Sequence, residues 1–168
     1  MSFLTRLGLT GPLDSPVTNY TPLFLGVQYL YAYGLLSSRP LKQWYGIDHN
    51  VSPREDLAKF GEAAIREGKI TRRQLEMLKR NESAHANSVE GFSLFVAGLG
   101  IASIAGVSPR IINAAGLSYM FARLAYGAIY ILVDHPKWSQ LRGLTWWWGN
   151  FSCFYLLWEA QKIFWNGA

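Results

Sequence analysis

The sequence predicts an all-α protein: a four-helix transmembrane bundle with a short extra cytoplasmic helix between the first and second spans. Long apolar runs alternate with polar connections along the 168 residues. Charged residues concentrate in one stretch, from about Arg39 to Arg80. Tryptophans lie at both ends of the last apolar run, where interfacial anchors of a membrane helix are found. Because a charge is costly at the centre of a bilayer, this segregation favours a membrane protein over a soluble one.

The spans are assigned from the apolar runs, because crossing the hydrocarbon takes about 20 apolar residues in a helix. The run from Val17 to Leu36 carries no charged residue and ends at a turn over Ser37–Pro40. The run from Gly91 to Pro109 completes a long second helix that begins in water. We expect one domain over residues 1–168, with spans at about residues 17–38, 72–106, 109–133 and 143–165.

Capping residues indicate where the helices begin and end. Ser52–Glu55 is a capping-box sequence with proline at the first helical position, so we expect the extra helix to begin there and to stop near Gly68. Thr71–Gln74 is a second capping box and opens the second span. Gly106–Pro109 predicts a tight turn in which Ser108 caps the third span.

The distribution of charge predicts the topology. The net charge is +5, and most basic residues lie in the connections between the first and second spans and between the third and fourth. The positive-inside rule then places both connections in the cytoplasm. We therefore expect a multi-pass integral membrane protein of the endoplasmic reticulum, with a bacterial inner membrane as the alternative. Basic residues beside apolar spans favour membrane lipid or an anionic ligand as partners and exclude nucleic acid. We expect no cleavable signal peptide.

The number and spacing of the cysteine and histidine residues exclude a disulfide and a metal site. Cys153 is the single cysteine of the sequence, so no intramolecular disulfide can form. The three histidines, His49, His85 and His135, show no metal-ligand spacing, and we expect no metal.

A polar stripe follows the second span. Arg80, Asn87 and Glu90 lie at offsets of seven and three residues, which keeps them on one face of a helix. Glu90 lies where the polar part of the helix becomes apolar. The alternative interpretation of Glu90 is a solvated helix end without a function.

The third span carries a charge at mid-membrane depth. Tyr126 and Tyr130 follow Arg123 at offsets of three and seven residues. An ionised guanidinium at that depth has to face the bundle interior and find a partner. We expect Arg123 and Glu90 to turn toward one polar chamber, and a purely structural pair of the two is the alternative. Arg142, at the start of the fourth span, either joins this chamber or is a snorkelling anchor.

Such a chamber would suit a small zwitterionic ligand with several carboxylates. Glutathione has two carboxylates, an ammonium group and a thiol. Arginines can hold the carboxylates through paired hydrogen bonds, and Glu90 can pair with the ammonium. A further cation near the sulfur would lower the thiol pKa from about 8.5 and raise the reactive thiolate fraction.

Three motifs resemble one family of membrane proteins. Ser83–Glu90 reads SAHANSVE, Tyr119–Tyr126 reads YMFARLAY, and Leu157–Ala160 reads LWEA. In this order and spacing they resemble the MAPEG family, the membrane-associated proteins of eicosanoid and glutathione metabolism. The resemblance covers about residues 78–162.

The resemblance implies a homotrimer of four-helix bundles with a glutathione site between neighbouring subunits, open to the cytoplasm. By that likeness Arg142 would stabilise the glutathione thiolate, with Tyr126 as a second catalytic residue, and a lipophilic substrate would enter from the bilayer. The residues that would bind glutathione are Arg80, His85, Asn87, Glu90, Arg123, Tyr126 and Tyr130.

Two departures from the family pattern bear on function. Many members carry arginine where Ser83 stands. The segment over residues 43–78 is longer than in the mammalian members of the family, so that it either covers the site or docks a partner. The first hypothesis is a glutathione-dependent transferase or peroxidase, similar to membrane-bound glutathione S-transferases, acting on a lipophilic electrophile. The second is a glutathione-independent isomerase or cyclase with Arg142, Tyr126 or His85 as acid–base groups. The third is a non-catalytic lipid-binding scaffold.

Overall fold

The computed structural model describes residues 2–12 and 15–167, and within these ranges it contains helices and no strand. α2 continues directly into a π-helical segment, Leu30–Leu35, while 3-10 turns at Pro53–Glu55 and Trp138–Gln140 lead into α4 and α7. In chain order the α-helices are α1 (Phe3–Arg6), α2 (Thr21–Tyr29), α3 (Arg39–Trp44), α4 (Asp56–Arg66), α5 (Arg72–Ala105), α6 (Pro109–Leu132) and α7 (Leu141–Asn166).

The first predicted span is helical over a shorter range than expected, from Thr21 to Leu35. Its π-helical segment, which the sequence did not predict, is held by side chains of α5. His85 Nδ1 donates to the Ala32 carbonyl oxygen at 2.7 Å, and Asn81 Nδ2 donates to the Leu36 carbonyl oxygen at 2.9 Å. These bonds satisfy main-chain carbonyls at the end of the helix, where the regular ladder stops.

The predicted capping residues have mixed outcomes. At the start of α5 the Thr71 side chain accepts from the Gln74 main-chain nitrogen and the Gln74 side chain accepts from the Thr71 nitrogen, so this capping box is confirmed. Gly106 ends α5 with φ of +81°, a backbone conformation that favours glycine. The caps expected at Ser52 and Ser108 are wrong, because neither side chain makes a capping hydrogen bond. A proline follows each serine, and its fixed φ opens the helix without a side-chain cap.

The core lies where α5, α6 and α7 pack along one another. Phe95 of α5 stacks on Tyr119 of α6 with ring centroids 3.8 Å apart. Gly98 of α5 faces α7 at close range, since a methyl group there would lie in ordinary contact, 3.4 Å from the Cys153 carbonyl oxygen. A small residue at this position therefore lets the two long helices pack together.

A second, smaller core joins the connection after the first predicted span to the polar half of α5. Ile47, Leu57, Ala64 and Ile70 pack with Leu75 and Leu78. α4 corresponds to the predicted extra helix, whereas α3 was not predicted. Lys42 of α3 is buried, and its ammonium lies 2.9 Å from a Glu82 carboxylate oxygen and 3.8 Å from one of Asp56. The connection is thus anchored to α5 by charge as well as by apolar packing.

Among the residues that the structure describes, two helices, α5 and α6, are long and apolar enough to cross a membrane, as judged by length and composition. α2 is short, and α7 is long enough to cross a membrane but is less apolar than α5 and α6. The helix bounds of α5, α6 and α7 lie within two residues of the expected spans.

Candidate functional site

Arg123, on α6, is the centre of the candidate site. Its side chain is 0% exposed. Nε donates to the Tyr119 hydroxyl at 3.0 Å and Nη1 donates to Asn87 Oδ1 of α5 at 3.2 Å. The guanidinium carbon lies 5.2 Å from the ring centre of Tyr119 and 5.6 Å from that of Tyr126. Aromatic faces and an amide oxygen thus stabilise the cation, although they carry no formal negative charge.

Gly91 makes room for this cation on α5. A methyl group at Gly91 would lie 1.7 Å from Arg123 Nη2 and 2.8 Å from the guanidinium carbon, so a side chain there cannot coexist with the observed geometry. The Gly91 carbonyl oxygen accepts a hydrogen bond from the Tyr119 hydroxyl at 3.1 Å. Nη2 of Arg123 has no hydrogen-bond partner among the described residues, which leaves one buried donor unsatisfied.

A row of aromatic and cationic groups leads from Arg123 to the start of α7. Tyr126 and Tyr130 meet edge to face with centroids 5.4 Å apart. The guanidinium of Arg142 lies over the Tyr130 ring, 4.7 Å from its centre. The structure therefore joins five of the predicted site residues in one continuous row, which we call the arginine row: Asn87, Arg123, Tyr126, Tyr130 and Arg142.

Glu90 and His85 lie on a different face of α5. Both line a cavity of about 650 Å³ whose other walls include Tyr33 of the π-helical segment and Lys42 of α3. No ion pair joins Glu90 to Arg123 in the described part of the chain, and Arg123 does not line the cavity that Glu90 borders, so the direct pairing of the two residues is not observed within one chain. The cause is helical geometry: successive residues turn by about 100°, and Gly91 rather than Glu90 faces α6.

Arg80 has partners of its own. Its Nε donates to the Ile131 carbonyl oxygen at 3.1 Å, and its Nη1 lies 3.1 Å from a carboxylate oxygen of Asp134. Arg80 therefore caps the end of α6 and is paired with Asp134, whereas the family resemblance implied that it would bind glutathione. Ser83 donates to the Lys79 carbonyl oxygen of its own helix at 3.1 Å and contributes no cation.

Three residues of the site were missed by the sequence analysis. Tyr119 lies four residues before Arg123, a spacing that places it on the same helix face and could have identified it. Gly91 follows Asn87 by four residues and could have been found in the same way. Tyr31, whose hydroxyl donates to the Arg123 carbonyl oxygen at 2.8 Å, gives no signal in the sequence because it lies on another helix.

The chemistry available to the arginine row is electrostatic and acid–base. Two guanidinium groups and two phenols can hold anions and move protons. Within residues 2–12 and 15–167 no group of histidine, cysteine and acidic side chains could hold a metal ion. Cys153, the single thiol of the sequence, is 0% exposed, lies in the core cluster that includes Phe95 and Leu99, and is an unsuitable nucleophile. A nucleophilic sulfur would therefore have to come from a ligand.

Comparison with known proteins gives one match. The model of the MAPEG family matches residues 17–161, most of the chain. A search of curated proteins and a search of solved structures find no match.

Proposed function

This chain belongs to the MAPEG family, and from that premise we propose that it is a membrane-bound glutathione-dependent transferase or peroxidase acting on a lipophilic electrophile. The family includes transferases and related enzymes and is associated with glutathione and eicosanoid metabolism. The observation that carries the proposal is the arginine row, which contains the fully buried guanidinium of Arg123 and the guanidinium of Arg142 above Tyr130. The single cysteine of the sequence is buried, so the thiol has to come from a ligand.

The cations of the row are suited to an anionic thiol ligand. Arg123 would hold a glutathione carboxylate near Asn87, where its Nη2 lacks a partner. Arg142 would lie near the sulfur, favour the thiolate and so lower the thiol pKa. Glu90, which forms no salt bridge in the described chain, would pair with the ligand ammonium.

In the transferase reaction the thiolate sulfur forms a bond to an electrophilic carbon, and the bond from that carbon to its leaving oxygen breaks. Tyr126 would give its proton to that oxygen and regain one from solvent. In the peroxidase reaction the thiolate sulfur bonds to one peroxide oxygen while the O–O bond breaks, and the alkoxide that leaves takes a proton and becomes an alcohol. The glutathione sulfenic acid that remains reacts with a second glutathione thiol, which forms glutathione disulfide and releases water. The protein supplies orientation and charge stabilisation in both cases.

The proposal includes the membrane arrangement. α2 with its π-helical segment, α5, α6 and α7 would form four spans of one domain, with the site facing the cytoplasm of the endoplasmic reticulum. A homotrimer would bring a neighbouring copy against the exposed Glu90 face of α5, so that glutathione would bind between subunits. This assembly would supply the contacts with Glu90 and His85 that a single chain does not make with the arginine row.

Calorimetry of the purified protein in detergent with glutathione tests the proposal. We expect saturable binding in the wild type, a loss of at least tenfold in affinity for Arg142→Ala and Asn87→Ala, and no change for Arg66→Ala, an exposed cation outside the row. A thiolate absorbance band that disappears in Arg142→Ala would support the role of that residue. No binding at millimolar glutathione would refute the proposal.

One observation favours the second hypothesis, a glutathione-independent isomerase or cyclase. Arg80 is already engaged by Asp134 and Ser83 provides no cation, so of the two positions that the family pattern assigns to glutathione carboxylates, one cation is paired and the other is missing. On this hypothesis Tyr126 and Arg142 act directly on the lipophilic substrate. Turnover of a lipid epoxide or endoperoxide without glutathione, lost in Arg142→Ala, would identify it.

A further inference from the structure

The connection between the first predicted span and α5 forms one wall of the 650 Å³ cavity that Glu90 and His85 border. Pro53 and Arg54 lie on this wall, in the 3-10 turn that leads into α4. The sequence analysis left open whether this longer connection covers the site or docks a partner. Because its residues share the cavity with Glu90, the geometry favours the first alternative.

A buried lysine fixes the position of this turn. The Lys42 ammonium donates to the Pro53 carbonyl oxygen and lies 2.9 Å from a carboxylate oxygen of Glu82 on α5. It also lies 3.8 Å from a carboxylate oxygen of Asp56, which follows the turn. Both ends of the turn are thus tied to α5 through one ammonium group. With two carboxylates and a carbonyl oxygen around it, this ammonium has no donor left for a ligand.

Arg54 is the cation of this wall that remains available to a ligand. The other arginine that lines the cavity, Arg39, is engaged, since its Nε lies 3.4 Å from a carboxylate oxygen of Asp48 and its Nη2 donates to Asn50. Arg54 is exposed and forms no ion pair among the described residues. A guanidinium presents its N–H donors in a planar fork that matches the two oxygens of a carboxylate. The cavity therefore combines an available guanidinium on the connection with the Glu90 carboxylate on α5.

Glutathione has two carboxylates, and the arginine row provides for one of them through Arg123. On α5 no cation remains for the other, because Arg80 is paired with Asp134 and Ser83 carries no charge. The α-carboxylate of the γ-glutamyl residue is attached to the same carbon as the ammonium group. If Glu90 pairs with that ammonium, the α-carboxylate has to lie in the same cavity.

We propose that the Arg54 guanidinium binds the α-carboxylate of the γ-glutamyl residue, while Glu90 binds the ammonium group on the same carbon. Arg54 is then a specificity-determining residue, which selects thiol ligands that end in a free amino acid. The cavity has room for this end of the ligand, since ligand pockets measure about 300–1,000 Å³. The inference rests on the proposed function, from which it takes the ligand and the role of Glu90.

Calorimetry of the full chain in detergent with two ligands tests the inference. The ligands are glutathione and γ-aminobutyryl-cysteinylglycine, which keeps the ammonium group and the thiol but lacks the α-carboxylate. We expect the wild type to bind glutathione at least tenfold more tightly, the value of a hydrogen bond between charged groups. Arg54→Gln should bind both ligands equally, with the affinity that the wild type has for the analogue. Equal binding by the wild type, or a preference that survives in Arg54→Gln, would overturn the inference.

Arg66→Gln is the matched control, because Arg66 is an exposed arginine of α4 that does not line the cavity. It should keep the full preference for glutathione, and an equal loss in both variants would overturn the inference. Thermal unfolding should give Arg54→Gln the Tm of the wild type, since Arg54 is exposed and forms no ion pair among the described residues; a lower Tm would assign Arg54 a structural role and contradict the inference. Glutathione binding that does not change in Arg54→Gln would refute the inference and leave the proposed function standing. A wild type that does not bind glutathione would refute both.

Discussion

Replacing Gly91 with alanine should displace the Arg123 guanidinium and destabilise the protein, although the same replacement in most helices is stabilising. The added methyl group would lie 1.7 Å from Nη2 and 2.8 Å from the guanidinium carbon, distances that no relaxation of the methyl group itself can relieve. The guanidinium would have to leave its bonds to Asn87 and Tyr119. Each hydrogen bond to a charged group contributes about 1.5–3 kcal/mol, and alanine regains about 1 kcal/mol of helix propensity. We expect a net loss of about 2–5 kcal/mol.

Gly100 provides the matched control for this prediction. It lies on the same helix, and a methyl group there would meet nothing within 4 Å. Gly100→Ala should therefore stabilise the protein by about 0.5–1 kcal/mol through helix propensity alone. Unfolding of both variants in detergent, followed by circular dichroism, measures the difference. If Gly91→Ala were as stable as Gly100→Ala, the close packing of Arg123 against α5 would be wrong.

Two further predictions concern charges on the connection and α5. Lys42→Met leaves the Asp56 carboxylate, which is 1% exposed, without a neighbouring ammonium and should cost about 3–5 kcal/mol of stability. Lys59→Met, which removes an exposed ion pair, should cost only about 0–1 kcal/mol. The protease sensitivity of the connection measures the difference, and equal sensitivity of the two variants would contradict the prediction. Hydrogen bonds from Arg72 hold the pKa of Glu62 below its ordinary value, so their stabilisation is present at neutral pH and is lost as the pH falls through that lowered pKa. In a carboxyl titration followed by NMR, Arg72→Gln should return the pKa of Glu62 toward its ordinary value, and an unchanged midpoint would show that Arg72 is not the cause.

Local sequence signals predicted the long helices well, because their causes are local. The capping box at Thr71, the left-handed glycine at Gly106 and the apolar runs between polar ends each act within a few residues. The π-helical segment Leu30–Leu35 depends instead on His85 and Asn81, donors from a helix far along the chain. The periodicity of the first apolar run does not indicate which residues of another helix will contact it, so the π-helical segment could not be predicted from the sequence.

The site was predictable to the extent that one helix face determines it. Spacing by three, four and seven residues identifies Arg123, Tyr126 and Tyr130, and the structure aligns them. Which neighbouring helix a face meets is not contained in that spacing. Glu90 and Gly91 are adjacent in sequence, yet Gly91 contacts the guanidinium and Glu90 lines the opposite cavity. Arg80 likewise finds Asp134, an acid that follows the end of α6.

Because Glu90 does not pair with Arg123, the stability of the protein should depend on whether an anionic ligand is bound near Arg123. A guanidinium that is 0% exposed and has no carboxylate partner in the described chain is costly, even with aromatic faces and an amide oxygen around it. The anion of the proposed function would supply the missing charge, so it should stabilise the folded state by an amount that grows with the ratio of its concentration to its Kd. At 100 times the Kd this gain is about 2.7 kcal/mol. Glutathione should therefore raise the Tm of the wild type, and should raise it less in Arg123→Met, where the apoprotein no longer carries the buried charge. An equal rise in both proteins would show that Arg123 is not where the anion binds.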